Sequence, residues 1–278
     1  MLYFLALASA ALYGAADFLG GLASRRATTV AVVIVSQLAG LLLLAAMMPF
    51  LPEAQPSTGD LWWGVAAGVF GGMGVALLYR ALAIGTMAVV APTTAVCAVA
   101  IPVLAAVALG ERPSLRVVAG IVLALVAIVL VSQSNSQLPT PNSQRAGLGL
   151  ALASGVAIGF FFLSLARTGS DAGMWPLLSA RAVSVALFSA LALVTGRSMR
   201  LPRPATTLAV VGGAVDMLAN ALYLVASRSG PLSVVVTLAS LYPASTVILA
   251  RVVLGERLTP WQGAGIACAL VAVVLIVG

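Results

Sequence analysis

The chain has 278 residues, of which 62% are hydrophobic and 8% are charged, and its formal net charge is +7. Soluble domains contain about 45–50% apolar and about 25% charged residues, so this composition excludes a soluble protein and predicts one that crosses a bilayer. Histidine is absent, and Cys97 and Cys268 lie in separate apolar stretches. We therefore expect no metal site, no cofactor and no catalytic residue.

Hydropathy predicts an all-α polytopic membrane protein with ten helices, each long enough for the roughly 20 residues that a bilayer core requires. The connections leave no room for a soluble domain, and the fourteen basic residues are all arginines, most of them at helix ends, where we expect them to fix topology rather than bind nucleic acid. The predicted helices cover residues 2–22, 28–51, 60–82, 88–109, 115–133, 146–167, 175–196, 204–226, 231–254 and 260–277.

In the first five predicted helices, Asp17 is an acidic residue that lies well inside a span, near the end of the first helix. An ionisable group at a helix centre costs roughly 2.5–3.5 kcal/mol on insertion scales, which favours a position facing water, an opposite charge or the protein interior. Asp17 is accordingly interpreted either as a cavity group or as a hydrogen-bond anchor.

The fourth predicted helix carries Pro92 and Pro102 beside Thr93 and Thr94. Each proline removes a backbone donor, so a helix break there would leave carbonyl groups for water or a substrate. A packing kink satisfied by neighbouring helices is the alternative. In the third helix, the Gly64-Gly68-Gly72 spacing predicts close helix packing.

A polar linker with two prolines, at residues 136–145, separates residues 1–135 from residues 146–278 and predicts two sets of five helices. A shift of 145 residues aligns Gly110-Glu111-Arg112 with Gly255-Glu256-Arg257 and Gly85 with Gly230. Because five is an odd number of spans, the second set enters the membrane in the opposite orientation, which predicts an inverted repeat of the transporter type. Glu111 and Glu256 are predicted to cap the fifth and tenth helices.

In the second set, the seventh and eighth predicted helices contain Arg181 and Asp216. These residues could form a buried ion pair that orients two helices, or they could contact a substrate or a proton. Asn220 and Tyr223 follow Asp216 at i+4 and i+7, so the three side chains share one helix face, which predicts a cavity lining. Asn220 and Tyr223 could instead bond neighbouring helices.

The ninth predicted helix contains a third helix-breaking residue, Pro243, beside Ser240 and Tyr242. These polar side chains join Thr93 and Thr94 as candidate substrate-binding groups. If Asp17 or Asp216 is desolvated, it could also exchange a proton near neutral pH, which is the hypothesis of proton coupling.

Several motifs resemble the EamA-type family of the drug/metabolite transporter superfamily. They are Tyr13-Gly14-Ala15-Ala16-Asp17-Phe18, Ala81-Leu82-Ala83-Ile84-Gly85, Gly110-Glu111-Arg112, and the second-set counterparts Ala226-Ser227-Arg228-Ser229-Gly230 and Gly255-Glu256-Arg257-Leu258-Thr259. The resemblance covers nearly the whole chain. It implies a ten-helix carrier in which the first four helices of each half surround a central cavity, with the fifth and tenth packed outside.

The sequence thus predicts a secondary transporter that exports small organic metabolites or drugs by alternating access, in the cell (inner) membrane, with a small-molecule substrate and the lipid bilayer as its partners. The alternatives are a membrane scaffold or accessory subunit without transport and an intramembrane enzyme. A homodimer is left open. The arginine bias places both termini outside, whereas the resemblance implies cytoplasmic termini.

Overall fold

The computed structural model describes residues 1–84, 87–131, 141–196, 199–254 and 259–277, and these residues are helices joined by short connections. A 3₁₀ turn follows the second helix at Met48–Phe50 and another precedes the seventh at Ser170–Ala172. The α-helices are α1 Leu2–Ser24, α2 Thr29–Met47, α3 Thr58–Ile84, α4 Met87–Ala108, α5 Leu115–Val131, α6 Pro141–Ala166, α7 Trp175–Thr195, α8 Arg203–Ser227, α9 Leu232–Ala239, α10 Tyr242–Leu254 and α11 Pro260–Val277.

The prediction of an all-α polytopic membrane protein is confirmed for the described residues. Six helices, namely α1, α2, α3, α6, α7 and α8, are long and apolar enough to cross a membrane. Shorter apolar stretches occupy α4, α5, the α9–α10 region and α11. Since α9 and α10 together fill the ninth predicted helix, the eleven helices correspond to ten predicted spans.

The predicted helix breaks at the three prolines have different outcomes. The chain leaves the helix at Ser240 and Leu241, and Pro243 is the second residue of α10, where a missing N–H costs nothing because first-turn donors have no intrahelical partner. In contrast, α4 runs without interruption through Pro92 and Pro102, so the prediction of a break at these two residues is wrong. Neighbouring helices can compensate for a proline inside a membrane helix, and Pro102 is itself buried between them.

The boundary of the central linker also differs from the prediction. Residues 141–145 were expected in the linker, but α6 already begins at Pro141, because the fixed φ of proline suits the first position of a helix. Residues 136–140 of the predicted linker lie outside the described residues.

Helices from the two sets pack against one another around a central space. α1 packs on α8 and on the α9–α10 pair, α3 packs on α6 and α7, and α2 packs on α7 and α8. α4 packs on α6, and α5 packs on α11. The core of the fold is therefore built mainly from contacts between the sets.

Glycines permit the closest of these contacts. A Cβ atom added at Gly64 would lie 2.6 Å from the Pro176 carbonyl oxygen, and one at Gly68 would lie 2.5 Å from the Ala180 carbonyl oxygen, so α3 and α7 touch through their backbones. The predicted packing role of the Gly64-Gly68-Gly72 spacing is confirmed. Gly213 plays the same part between α8 and α2, since its Cβ would lie 2.0 Å from the Ser36 carbonyl oxygen.

Glu111 caps a helix, but not the helix that was predicted. Its carboxylate accepts hydrogen bonds from the Leu232 N–H at 2.8 Å, the Ser233 N–H at 3.3 Å and the Ser233 hydroxyl at 2.6 Å, at the N-terminus of α9. Gly110, with φ +100°, turns the chain away from α5 just before Glu111. Ser114 instead accepts the Val117 N–H in the first turn of α5. Glu256, the other predicted cap, lies outside the described residues.

Candidate functional site

A cavity lies between the two sets of helices, with an empty volume of about 620 Å³ that includes its opening to solvent. α1, α2 and α3 contribute residues from the first set, and α6, α7, α8 and α10 contribute residues from the second. Most of the lining is apolar. The polar and charged lining residues are Tyr13, Asp17, Gln37, Arg181, Ser184, Asp216, Asn220 and Tyr242.

Five of these side chains form one continuous network across the cavity wall. The Arg181 guanidinium donates to the Asp216 carboxylate, with which it forms an ion pair, and also to the Gln37 side-chain oxygen. The Asn220 amide donates to the Asp216 carboxylate at 3.1 Å and to the Asp216 backbone oxygen at 2.7 Å. The Tyr13 hydroxyl in turn donates to the Asn220 side-chain oxygen at 2.8 Å. The network therefore joins α2, α7, α8 and α1.

Helix periodicity explains why these side chains meet. Asp216 and Asn220 are four residues apart on α8, and Tyr13 and Asp17 are four apart on α1, so each pair occupies one helix face. Gly40 on α2 leaves room for the guanidinium, since a Cβ atom there would lie 3.4 Å from Cζ of Arg181. The ion pair that sequence analysis offered as one alternative for Arg181 and Asp216 is therefore present, and it lies on the cavity rather than away from it.

Asp17 differs from the other charged residues of the wall. It makes no hydrogen bond or ion pair with the residues that the structure describes, and it is only partly buried because it faces the cavity. The titratable groups that interact with it electrostatically are Asp216, Tyr79 and Tyr242. Two carboxylates and one guanidinium line the cavity, which gives the described wall a formal charge of −1.

An aromatic cluster contributes Tyr13, Phe161 and Phe162 to the wall, and Tyr223 packs against Phe162 outside the lining. The rings of Tyr13 and Phe162 are 5.8 Å apart in a T-shaped arrangement, and those of Phe162 and Tyr223 are 4.5 Å apart. Phe161 reaches Gly71 on α3, where an added Cβ would lie 2.7 Å from its ring. Such a wall suits an apolar or aromatic body.

Of the other predicted site residues, Tyr242 lines the cavity, whereas Tyr223, Thr93, Thr94 and Ser240 lie outside the lining that the described residues define. Tyr223 is fully buried and donates to the Phe162 carbonyl at 3.2 Å, so it joins α8 to α6. Thr94 donates to the Ala151 carbonyl at 3.2 Å, and Thr93 is likewise absent from the lining. Ser240 is buried at the α9–α10 break, whereas Tyr242 lines the cavity and lies 3.5 Å from the Ala91 carbonyl oxygen.

Sequence reasoning missed Gln37, Tyr13 and Ser184. The sequence could have indicated Gln37, because an amide side chain in a largely apolar membrane helix needs a hydrogen-bonding partner. Tyr13 lies one turn before Asp17, and Ser184 lies one turn after Arg181, so both share a face with a residue that was predicted. The described residues bring together no group of three or more Cys, Asp and Glu side chains that could hold a metal ion.

Hydrogen bonds join the connecting segments at the end of the bundle where α2, α6 and α8 end. The Arg228 guanidinium donates to the Gly173 carbonyl at 2.7 Å and to the Thr168 hydroxyl at 2.8 Å. Asp60 accepts the Gly169 N–H at 2.7 Å. The Glu111 cap on α9 lies at the same end, because α4 ends and α9 begins there.

Comparison with known proteins finds matches over both halves of the chain. The model of the EamA-like transporter family matches residues 1–133 and again residues 145–278. A solved structure described as "Crystal structure of protein" is similar over 97% of this chain and 98% of its own, with a TM-score of 0.67 and 18% sequence identity, which supports the fold alone. A search of curated proteins finds no match.

Proposed function

This chain belongs to the EamA-like transporter family, and on that premise we propose that it is a secondary transporter that exports small organic metabolites or drugs through the central cavity. The family makes it a membrane transporter of the drug/metabolite type. The observation that carries the finer proposal is the cavity itself, which lies between the two sets of helices and gathers the charged residues of the spans. Export of a cytoplasmic solute would require the protein to reside in the cell (inner) membrane.

The proposed mechanism is alternating access between two inverted five-helix repeats, residues 1–135 and 146–278. The helix contacts support it. A shift of 145 residues relates α1 to α6, α2 to α7, α3 to α8, α4 to the α9–α10 pair and α5 to α11. This exchange converts the α1–α8 contact into α6–α3, the α2–α8 contact into α7–α3, and the α1–α10 contact into α6–α4. It returns α2–α7 and α5–α11 to themselves, as a two-fold axis requires.

The polar network would act as the joint between the repeats. Tyr13 and Gln37 belong to the first repeat, whereas Arg181, Asp216 and Asn220 belong to the second. Rocking of one repeat against the other must lengthen or exchange the bonds of Tyr13 and Gln37, whereas the Arg181–Asp216–Asn220 part can move as one body. A solute in the cavity touches both parts, so its binding can bias the equilibrium between the two arrangements.

Proton coupling is the energy source that we propose, with Asp17 as the proton carrier. Asp216 is bonded to Arg181 and Asn220, so taking up a proton there would disrupt an ion pair. Asp17 lacks such a partner among the described residues, so its protonation breaks no ion pair. If transport by Asp17→Asn and by Asp216→Asn responded to a pH gradient as the unchanged chain does, neither aspartate would carry the proton.

The function is tested by untargeted metabolite profiling of medium and cytoplasm. Cells overproduce either the unchanged chain or Asp216→Asn, at matched levels in the membrane. We expect at least one small organic metabolite to move from the cytoplasm to the medium only with the unchanged chain. If no metabolite moves to the medium, export is contradicted and a scaffold role is favoured. If the same metabolite moves equally with both chains, Asp216 has a structural role rather than a role in transport.

A further inference from the structure

The charge distribution of the cavity wall points to the class of solute that it takes. Of the three charged side chains that line it, Arg181 and Asp216 are paired with each other, whereas Asp17 has no ionic or hydrogen-bonding partner among the described residues. A carboxylate in a largely apolar wall is costly unless an opposite charge or water faces it. The cavity therefore has one negative charge to offer to a ligand.

Each of the other polar side chains of the wall makes at least one hydrogen bond within the protein. The Tyr13 hydroxyl donates to Asn220 at 2.8 Å, and the Ser184 hydroxyl donates to the Gly68 carbonyl at 2.7 Å. The two terminal nitrogens of Arg181 contact Gln37 and Asp216. A ligand carboxylate would have to displace Asp216 from this guanidinium, whereas a ligand cation finds Asp17 unoccupied.

The aromatic residues favour the same ligand. Tyr13, Phe161, Phe162 and Tyr242 contribute to the wall together with Val75, Leu78, Ile158 and Leu177. Aromatic faces attract cations, and the aliphatic side chains accept an apolar body. Tyr242 and Asp17 line the same cavity, so a cation held by Asp17 shares the cavity with this aromatic ring.

We infer that the solute is an organic monocation, a primary amine or a similar ammonium with an aromatic or apolar body, whose positive group binds Asp17 while the Arg181–Asp216 pair stays closed. Amino acids and carboxylates bind less well, because their negative group finds no free cation on the wall. This inference rests on the proposed transport function, since it names the solute of the same cavity.

The test compares four small molecules that share a phenyl body and differ in charge. They are 2-phenylethylamine, phenylalanine, 3-phenylpropanoate and 2-phenylethanol, and isothermal titration calorimetry at neutral pH measures their binding to the purified full chain in lipid nanodiscs. Empty nanodiscs correct for partitioning into lipid. We expect the amine to bind about tenfold or more tightly than each of the other three, as a charge-assisted hydrogen bond predicts.

Two variants locate the charge that is responsible. Asp17→Asn is expected to weaken amine binding about tenfold while leaving 2-phenylethanol binding unchanged, and the neutral alcohol thereby reports that the cavity remains folded. Glu53→Gln removes the same charge from an exposed site outside the cavity and should change neither affinity.

Three results would each overturn the inference: no preference for the amine over the alcohol, tighter binding of phenylalanine or 3-phenylpropanoate, or full amine affinity in Asp17→Asn. The comparison of the four molecules on the unchanged chain decides the matter even if Asp17→Asn fails to fold. Transport of any solute in the profiling experiment would leave the proposed function standing after such a failure, so the two claims fail separately.

Discussion

The Tyr13 hydroxyl on α1 lies 2.8 Å from the side-chain oxygen of Asn220 on α8, and this hydrogen bond connects the first set of helices to the charged residues of the second. Asn220 in turn donates to Asp216, which is paired with Arg181, and Arg181 reaches back to Gln37 on α2. The charged pair is thus held from both sides by neutral groups of the other set. A transporter that rocks about this interface can exchange the bonds of Tyr13 and Gln37 without separating the ion pair.

Tyr13→Phe tests this arrangement. Loss of one hydrogen bond between membrane helices costs about 0.6 kcal/mol, so we expect little change in thermal stability but an altered rate of solute export. Tyr223→Phe is the matched control, because that hydroxyl donates to the Phe162 carbonyl away from the cavity. Export assays on cells with matched protein levels make the comparison. Equal effects of the two variants on the export rate would show that the Tyr13 bond has no special part in transport.

The Arg181–Asp216 pair predicts unequal effects of single and double replacements. Arg181→Met leaves a buried carboxylate without its partner, and Asp216→Leu leaves a buried guanidinium, so each should lower stability by about 3–5 kcal/mol. The double variant Arg181→Met/Asp216→Leu should recover most of that loss, because no unpaired charge remains. Thermal unfolding in detergent measures all three.

Additive losses in the double variant would contradict the ion pair as a coupled unit. Recovery of stability without recovery of export would separate the two roles of the pair, because the double variant restores folding but leaves the cavity without its central charges.

Glu111→Gln probes the cap that the loop after α4 places on α9. A glutamine retains one acceptor oxygen but loses the charge and the second acceptor, so we expect a loss of about 1–2 kcal/mol in the free energy of unfolding. Glu53→Gln is the control, since Glu53 is exposed. If both variants melt at the same temperature as the unchanged chain, the Glu111 contacts contribute no stability.

Gly213→Ala tests the contact between α8 and α2. Alanine gains up to about 1 kcal/mol of helix propensity, but its Cβ would lie 2.0 Å from the Ser36 carbonyl oxygen, and such overpacking costs about 1–3 kcal/mol. We therefore expect a lower melting temperature. In Gly149→Ala the added Cβ has nothing within 4 Å, so the higher helix propensity of alanine should raise stability slightly. A melting temperature for Gly213→Ala at or above that of Gly149→Ala would be inconsistent with the close contact.

The sequence was sufficient for the helices and for part of the site. Hydropathy located the spans because the bilayer requires long apolar segments, and Arg181 and Asp216 stood out because charges in such segments are expensive. The spacing of Asp216 and Asn220 placed both on the cavity face of α8. Spacing could not reveal that Tyr223, one turn further, would turn its hydroxyl toward the Phe162 carbonyl of α6, because that depends on which helix is the neighbour at that depth.

The remaining differences have the same physical origin. Gln37 and Tyr13 join the site only through partners on other helices, and the Glu111 carboxylate caps a helix more than a hundred residues away in the chain because Gly110 turns it there. Sequence reasoning assigned Glu111 to the next helix in the chain, because local sequence patterns relate a residue only to the helices that adjoin it in the chain. Contacts between the two sets of helices join residues that are far apart in the chain, so they can be identified only from the three-dimensional structure.

The most direct test of transport through this cavity uses the purified chain as the only protein in sealed liposomes. The liposomes are loaded with a soluble metabolite extract of the producing cells, and mass spectrometry identifies the solutes that leave, with protein-free liposomes and Asp17→Asn as comparisons. We expect at least one small organic solute, an amine by our inference, to leave faster through the unchanged chain than through either comparison. Release profiles indistinguishable from those of protein-free liposomes for every solute would contradict the account.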